Sequence, residues 1–172
     1  MLIHLTGVSS AEGKVTDTQV EMESSFFKSP LGEFEIIEKT PLKLTLSNIG
    51  IQKVQIKGTC KLTIRIPCDR CLDPVPTILD LSFTHEADLE KTEDELRNEL
   101  EEKDFIEGFD LNVDKLLFNE ILMNWPLKVL CKEDCKGICK KCGQNLNEGA
   151  CDCDTVELDP RMAAIKDIFS QY

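Results

Sequence analysis

Cysteines are the residues of this 172-residue sequence whose type and spacing suggest chemistry. Eight of the nine form four close pairs: Cys68 with Cys71, Cys131 with Cys135, Cys139 with Cys142, and Cys151 with Cys153. Thiolates at such spacings bind soft metal ions, and zinc takes four ligands at about 2.3 Å in a tetrahedron. The paired cysteines therefore predict a zinc-binding protein, with ligands for one or two ions.

Chain length favours one combination of these pairs. The last two pairs lie within fifteen residues and can close a local four-cysteine zinc knuckle around the loop 144–150. The first two pairs are then left to combine across about sixty residues. A metal ion bound by both pairs would link the turn between two predicted strands to the end of a predicted helix. Crossed combinations, and a metal ion in one site only, stay open.

The residues around the pairs favour a structural metal over a catalytic one. Catalytic zinc usually has histidine or carboxylate ligands and an open position. The chain has 2 histidines, His4 and His85, and neither is near a cysteine pair. No motif in the sequence pairs a nucleophile with a base. We therefore predict a binding or assembly protein that is not an enzyme.

Two alternatives use the same cysteines. Four thiolates also hold iron–sulfur clusters, which spacing alone does not separate from zinc. A thiol redox protein, or a redox-regulated zinc switch, would cycle Cys68 and Cys71 between dithiol and disulfide. A thioredoxin-like pair starts a helix in a βαβ unit. Because this pair lies between predicted antiparallel strands, the spacing favours metal binding.

Lysines are interspersed with the cysteines in an otherwise acidic chain, and they are Lys128, Lys132, Lys136, Lys140 and Lys141. Four thiolates around one zinc ion carry a formal charge of about −2, so the lysines can simply offset that charge. The other hypothesis is phosphate contact, for which Lys132, Lys136, Lys140 and Lys141 are the candidate RNA-binding residues, together with the loop GQNLN.

The net charge of −12 is concentrated between Glu86 and Asp110. Such a block is typical of a solvated helix or linker, or of an arm that binds a basic protein. Overall acidity argues against broad nucleic-acid binding but leaves room for a local RNA site. Because the sequence shows no membrane span and no signal peptide, we expect a cytoplasmic protein whose thiols stay reduced.

Short β-branched segments position the first cysteine pair. They predict an antiparallel sheet or partial barrel, with strands at Phe34–Glu38, Leu42–Leu46, Ile51–Lys57, Thr59–Ile66 and Val75–Phe83. The expected breaks are Pro41, residues 48–50, Gly58 and the CDRC turn. Cys60 alternates in phase with Leu62, Ile64 and Ile66, which predicts a buried core cysteine and not a ligand.

A helix leads to the second pair. In DLNVDKLLFNEILMNWP the N-cap is Asp110 or Asn112, and Pro126 follows the helix end. Its apolar stripe consists of Val113, Leu116, Leu117, Ile121 and Trp125. A final short helix is predicted at Asp159–Phe169.

The predicted fold class is α+β, in three parts. A β-rich body occupies 1–85, and an acidic helix or linker occupies 86–108. Residues 109–172 contain the amphipathic helix, the Cys-rich metal module and the final helix.

Three segments carry a resemblance to a known family, and they are PCDRCLDPV, DFIEGFDLNVDKLLFNEILMNWPLKVLCKEDCKGICKKCGQNLNEGACDC and ELDPR. They are similar to the YceD-like family, whose members are called large ribosomal RNA subunit accumulation proteins. The resemblance implies a bacterial or organellar, noncatalytic ribosome-biogenesis factor. Its partner would be large-subunit ribosomal RNA or a basic ribosomal protein. It also implies that the site of Cys68, Cys71, Cys131 and Cys135 is the more general of two sites.

Overall fold

The computed structural model describes residues 1–89 and 104–153. The chain divides into two units. One is Met1–Ile66 with Val75–Val129, and the other is Pro67–Pro74 with Leu130–Tyr172. The predicted helix Asp159–Phe169 and most of the acidic segment, residues 90–103, lie outside the described residues.

Antiparallel strands make up most of the first unit, as the sequence predicts. The strands are β1 Leu2–His4, β2 Val15–Val20, β3 Phe26–Ser29, β4 Gly32–Lys39, β5 Leu42–Gly50, β6 Lys53–Pro67, β7 Pro74–Asp88, β8 Ile106–Glu107 and β9 Asp110–Asn112. The helices are α1 Thr6–Ser9 and α2 Val113–Met123. No helix in the described ranges has the length and apolar composition that crossing a bilayer requires.

The strands form two sheets. The larger has the order β2-β5-β6-β4-β3, with β7 also paired to β6, and the smaller has the order β1-β9-β8. Strand β6 pairs antiparallel with β5 between Lys53 and Thr59, and with β4 between Leu62 and Ile64. β6 therefore organises the larger sheet, and the first cysteine pair follows directly after its end.

Gly58 does not break a strand, so this prediction is wrong. The two strands predicted at Ile51–Lys57 and Thr59–Ile66 are one strand, β6. A Cβ atom at Gly58 would lie 2.1 Å from the Phe83 ring. The glycine is needed because a side chain from β7 packs directly on the β6 backbone, not because the chain turns.

The break predicted at residues 48–50 is also wrong, because β5 continues to Gly50. The turn comes at Ile51 and Gln52, and Gln52 has a φ of 52°. Asn48 is buried inside the strand, where its amide donates to the Ser9 carbonyl at 3.1 Å and accepts from the Gly50 N–H at 3.0 Å. Its polar atoms are satisfied, so a turn-favouring residue is tolerated there.

Cys60 lies in the core, which confirms its prediction. Strand β6 buries every second residue from Val54 to Ile66, and Cys60 is only 5% exposed. Burial raises the pKa of its thiol to about 11. The thiol therefore stays protonated and behaves as a small apolar side chain.

Helix α2 starts and packs as predicted. The Asn112 side chain caps it by accepting from the Lys115 N–H at 3.2 Å. The predicted face is buried at Val113, Leu116, Leu117 and Ile121. Trp125 follows the helix, with its ring 4.9 Å from that of Phe34 and 5.5 Å from that of Phe27. The stripe is therefore a core-facing surface of the first unit.

Candidate metal centres

The turn between β6 and β7 brings Cys68 and Cys71 to one side of the chain. The Cys68 N–H donates to the Asp73 carbonyl at 2.8 Å, and the Leu72 N–H donates to the Cys68 carbonyl at 3.0 Å. Leu72 has a φ of 64°, in the left-handed region. This tight turn is what allows two sulfurs three residues apart to face one point.

The pair Cys139 and Cys142 repeats this turn. The Gly143 N–H donates to the Cys139 carbonyl at 2.8 Å, and Gly143 has a φ of 74°. Gly143 thus occupies the position that Leu72 occupies in the other turn. The sequence suggests a glycine here, whereas the left-handed Leu72 has no local sequence signal.

The paired cysteines lie in two groups. We call Cys68, Cys71, Cys131 and Cys135 the first group, and Cys139, Cys142, Cys151 and Cys153 the second group. Within each group the sulfurs all lie within 4.8 Å of one another. The grouping coincides with the combination that chain length favours, and the crossed combinations are not those that the fold brings together.

The sulfur geometry suits a tetrahedral ion. In the first group the Cys68 and Cys135 sulfurs are 3.8 Å apart, and the Cys71 and Cys131 sulfurs are 3.4 Å apart. Four sulfurs at zinc–sulfur distance would be about 3.8 Å apart. The Cys131 N–H lies 3.4 Å from the Cys68 sulfur, in a position to stabilise its negative charge. The first group therefore fits a zinc ion in both ligand type and spacing.

The thiol pKa values differ within each group. Burial acts to raise the pKa of Cys68, but backbone N–H groups of Cys71, Arg70 and Cys131 lower it to about 6. Burial raises the pKa of Cys71. In the second group, backbone N–H groups of Cys142 and Lys141 lower the pKa of Cys139 to about 6.

The sulfur of Cys142 raises the pKa of Cys153 to about 12. Thiolates so close together repel one another, so all four ionise only beside a cation. Each four-cysteine group could therefore hold a metal ion.

The two groups differ in exposure. In the first group Cys131 is exposed and the other three cysteines are buried. In the second group Cys139 alone is buried, Cys142 is exposed, and the remaining two are half-buried. Solvent and competing ligands therefore reach the second group more easily.

The histidines lie apart from both groups, as expected. The Nδ1 atom of His4 in β1 is 2.6 Å from an Asp110 oxygen. The Nε2 atom of His85 in β7 is 2.6 Å from an oxygen of the buried Glu120. Both are strand residues with carboxylate partners in the first unit.

The loop GQNLN contains two residues whose role the sequence did not suggest. The Asn147 amide donates to the Cys135 sulfur at 3.3 Å, and the Asn145 amide donates to the Asp73 carboxylate at 2.9 Å. Both side chains are half-buried and contact the segments that supply the first group. Two asparagines two residues apart, shortly after a C-x2-C turn, are the signal that could have suggested this.

The candidate RNA-binding residues Lys132, Lys136, Lys140 and Lys141 are all exposed. None of their ammonium groups forms an ion pair within the described part of the chain. Among the described residues of the second unit, acidic residues are about as frequent as basic ones, and they include Glu133, Asp134, Glu148 and Asp152. The second unit is therefore not a uniformly basic surface, and a phosphate contact would have to be local.

A family model described as large ribosomal RNA subunit accumulation protein YceD matches residues 56–169. The chain belongs to the YceD family. The family match spans all eight cysteines of the two groups, which confirms the resemblance seen in the sequence.

One curated relative supports this membership of the YceD family. The chain is 27% identical over 147 residues to the large ribosomal RNA subunit accumulation protein YCED homolog 1, chloroplastic, of Arabidopsis thaliana. The match covers 70% of this chain and 46% of the relative, so the chain spans about half the length of that protein. No solved structure matches the YceD-family chain.

Proposed function

We propose that this chain is a noncatalytic ribosome-biogenesis factor that supports the accumulation of large-subunit ribosomal RNA. The observation that carries the proposal is the family match over residues 56–169, which includes both cysteine groups. Large ribosomal RNA subunit accumulation is the role stated in the names of the family and of the chloroplastic relative. The reducing cytoplasm, where thiolates stay available to metal, is the compartment that we propose.

The cofactor in this proposal is zinc, with one ion in each group. The sulfur spacing and the all-cysteine donor set support it, since four-sulfur sites usually leave no open position for substrate. Zinc would supply the positive charge that lets four thiolates lie together and would hold the second unit in its folded shape. Metal analysis of anaerobically purified protein should find two zinc ions per chain. Iron with visible absorption would instead support a cluster, and no metal with several disulfides would contradict the proposal.

The partner that we favour is ribosomal RNA, bound near the cysteine groups. Lys140 and Lys141 support this because they are exposed, adjacent and free of ion pairs within the described residues. Exposed ammonium groups that no carboxylate neutralises are the groups that contact phosphates. The neighbouring acidic residues limit the contact to a few phosphates.

Charge reversal tests this contact. Lys140→Glu with Lys141→Glu should weaken binding to large-subunit RNA fragments. The slope of the logarithm of the binding constant against the logarithm of the salt concentration should become shallower by about 0.7–0.9 for each phosphate contact that is lost. The matched control is Lys43→Glu with Lys57→Glu, which makes the same charge change at exposed strand positions of the first unit. Equal effects of the two double variants would show that net charge, and not a local site, controls RNA binding.

A basic ribosomal protein is the other partner that the experiment can reveal. The acidic residues 93–102 are the segment that would bind it, from the sequence alone. If RNA binding is absent and deletion of residues 93–102 abolishes binding to basic ribosomal proteins, the RNA contact is wrong and the assembly role remains.

A thiol redox protein or redox-regulated zinc switch is the second candidate function. The observation that favours it is that the sulfurs of Cys68 and Cys71 lie within 4.8 Å of each other. Against it, Cys68 and Cys71 lie in a turn between paired strands and not at the start of a helix. Measurable disulfide reduction by the zinc-loaded protein would support the redox function, and an inert zinc-loaded protein would count against it.

A further inference from the structure

The loop that closes the second group also contacts the first. Residues 143–150 join Cys142 to Cys151, so ligands of the second group hold both ends of this loop. The middle of the loop folds back onto the segment between Cys135 and Cys139, since the Leu146 N–H donates to the Gly137 carbonyl at 2.8 Å. A change in the geometry of one group can therefore be transmitted to the other group through this loop.

Asn147 provides the contact to a sulfur. Its Nδ2 atom is 3.3 Å from the Cys135 sulfur, and its Oδ1 atom accepts from the Lys136 N–H at 2.9 Å. Because a backbone donor occupies the oxygen, the N–H₂ end of the amide must face the sulfur. Asn147 is thus an oriented donor to one ligand of the first group.

Asn145 extends the contact to the other chain segment of the first group. Its Nδ2 atom donates to the Asp73 carboxylate at 2.9 Å, and its Oδ1 atom accepts from the Asn147 amide at 2.9 Å. Asp73 belongs to the turn that carries Cys68 and Cys71. The two asparagines therefore connect both segments that supply the first group.

We infer that this loop couples the two groups, so that a metal ion in the second group raises the metal affinity of the first through the Asn147–Cys135 hydrogen bond. The inference rests on the metal sites of the proposed function. A donor that orients and stabilises a ligating thiolate typically changes metal affinity about 10-fold to 100-fold. Linkage is reciprocal, so the first group raises the affinity of the second by the same factor.

The test measures the affinity of each group separately. The full chain is loaded with cadmium-113, which replaces zinc in four-thiolate sites, and each group is followed by its own NMR signal during competition with a chelator. Asn147→Ala should lower the affinity of the first group by about 10-fold. Asn147→Asp keeps the shape but puts a carboxylate against the thiolates, so it should lower the affinity further.

Gln144→Ala is the matched control. Gln144 is an amide of the same loop, and its side chain donates to the Ala150 carbonyl at 3.4 Å. Its loss should leave the affinity of the first group unchanged. An equal loss in Gln144→Ala and Asn147→Ala would show that loop order in general, and not the hydrogen bond to Cys135, sets the affinity.

A double-mutant cycle tests the coupling itself. Replacement of all four cysteines of the second group by serine should lower the affinity of the first group about 10-fold in the parent chain, with no further loss in the Asn147→Ala background. If the four-serine variant does not fold, the second group decides, because reciprocity requires Asn147→Ala to lower its affinity by the same factor while Gln144→Ala leaves it unchanged. Two groups that bind cadmium independently of Asn147 would overturn the coupling alone. Failure of both groups to bind metal would overturn the metal sites as well, and neither result depends on RNA binding.

Discussion

Substitution of Gly58 by alanine tests the finding that β6 is continuous because Phe83 packs on its backbone. The added methyl group would lie 2.1, 2.5 and 2.8 Å from three atoms of the Phe83 ring. Real contacts of this kind are not that short, so the ring must move. Phe83 is only 8% exposed and belongs to the core, where there is little room for the movement.

The expected loss follows from two opposing terms. Forcing a methyl group into a packed core costs about 1–3 kcal/mol. Alanine in a strand is about 0.5–1 kcal/mol more favourable than glycine because its unfolded chain is less free. Gly58→Ala should therefore lower the free energy of unfolding by about 1 kcal/mol, within a range of roughly 0–2.5 kcal/mol.

Urea denaturation followed by tryptophan fluorescence measures this change. Trp125 is the only tryptophan of the chain, and it packs against Phe27 and Phe34 in the same unit as Gly58. The control is Gly50→Ala, at the end of β5, where a new Cβ has no neighbour within 4 Å. Because only the entropy term acts at this strand position, the free energy of unfolding of Gly50→Ala should stay unchanged or rise by about 0.5–1 kcal/mol.

Relief of the clash gives the sharper test. In a double-mutant cycle, Phe83→Leu should recover about 1 kcal/mol of the loss caused by Gly58→Ala, because the smaller side chain leaves space for the methyl group. Strictly additive effects, or a Gly58→Ala variant as stable as Gly50→Ala, would refute the packing argument.

Three further predictions concern single positions. An alanine at position 143 would meet no neighbouring atom, but Gly143 has a φ of 74°, so Gly143→Ala should weaken the free energy of metal binding by the second group by about 1 kcal/mol. Leu72 has a φ of 64°, so Leu72→Gly should strengthen metal binding by the first group. Chelator competition measures both, and changes of the same sign would contradict the backbone argument. Cys60 has a pKa of about 11 in the fold against an ordinary value of 9.0. Its contribution to stability is therefore complete below about pH 9 and is lost as the pH rises towards 11. In urea denaturation, the free energy of unfolding of Cys60→Ala should fall less steeply between these pH values than that of the parent chain. Parallel pH profiles of the two proteins would contradict the burial of a protonated Cys60 thiol. Asn112→Ala removes the acceptor for the Lys115 N–H and should cost about 1 kcal/mol, while Asn112→Ser should retain most of the stability. Equal losses in the two variants, measured by the same fluorescence assay, would exclude the cap.

Local spacing is what made part of this protein predictable. The C-x2-C turns, the alternation that buries Cys60, and the cap at Asn112 all depend on residues within a few positions of one another. The geometry of a turn, a strand or a helix end relates such residues directly. The donor type and the number of paired cysteines were equally visible in the sequence and predicted two four-sulfur groups.

Contacts between distant parts of the chain decided the rest. Chain length favoured the union of Cys68 and Cys71 with Cys131 and Cys135, but only the fold shows these sulfurs together. Gly58 resembles a strand break in the sequence, and only the ring of Phe83 from the next strand explains it. Asn147 resembles a solvent-facing loop residue until the fold places Cys135 beside it. In each case the partner is set by tertiary packing, which local spacing does not contain.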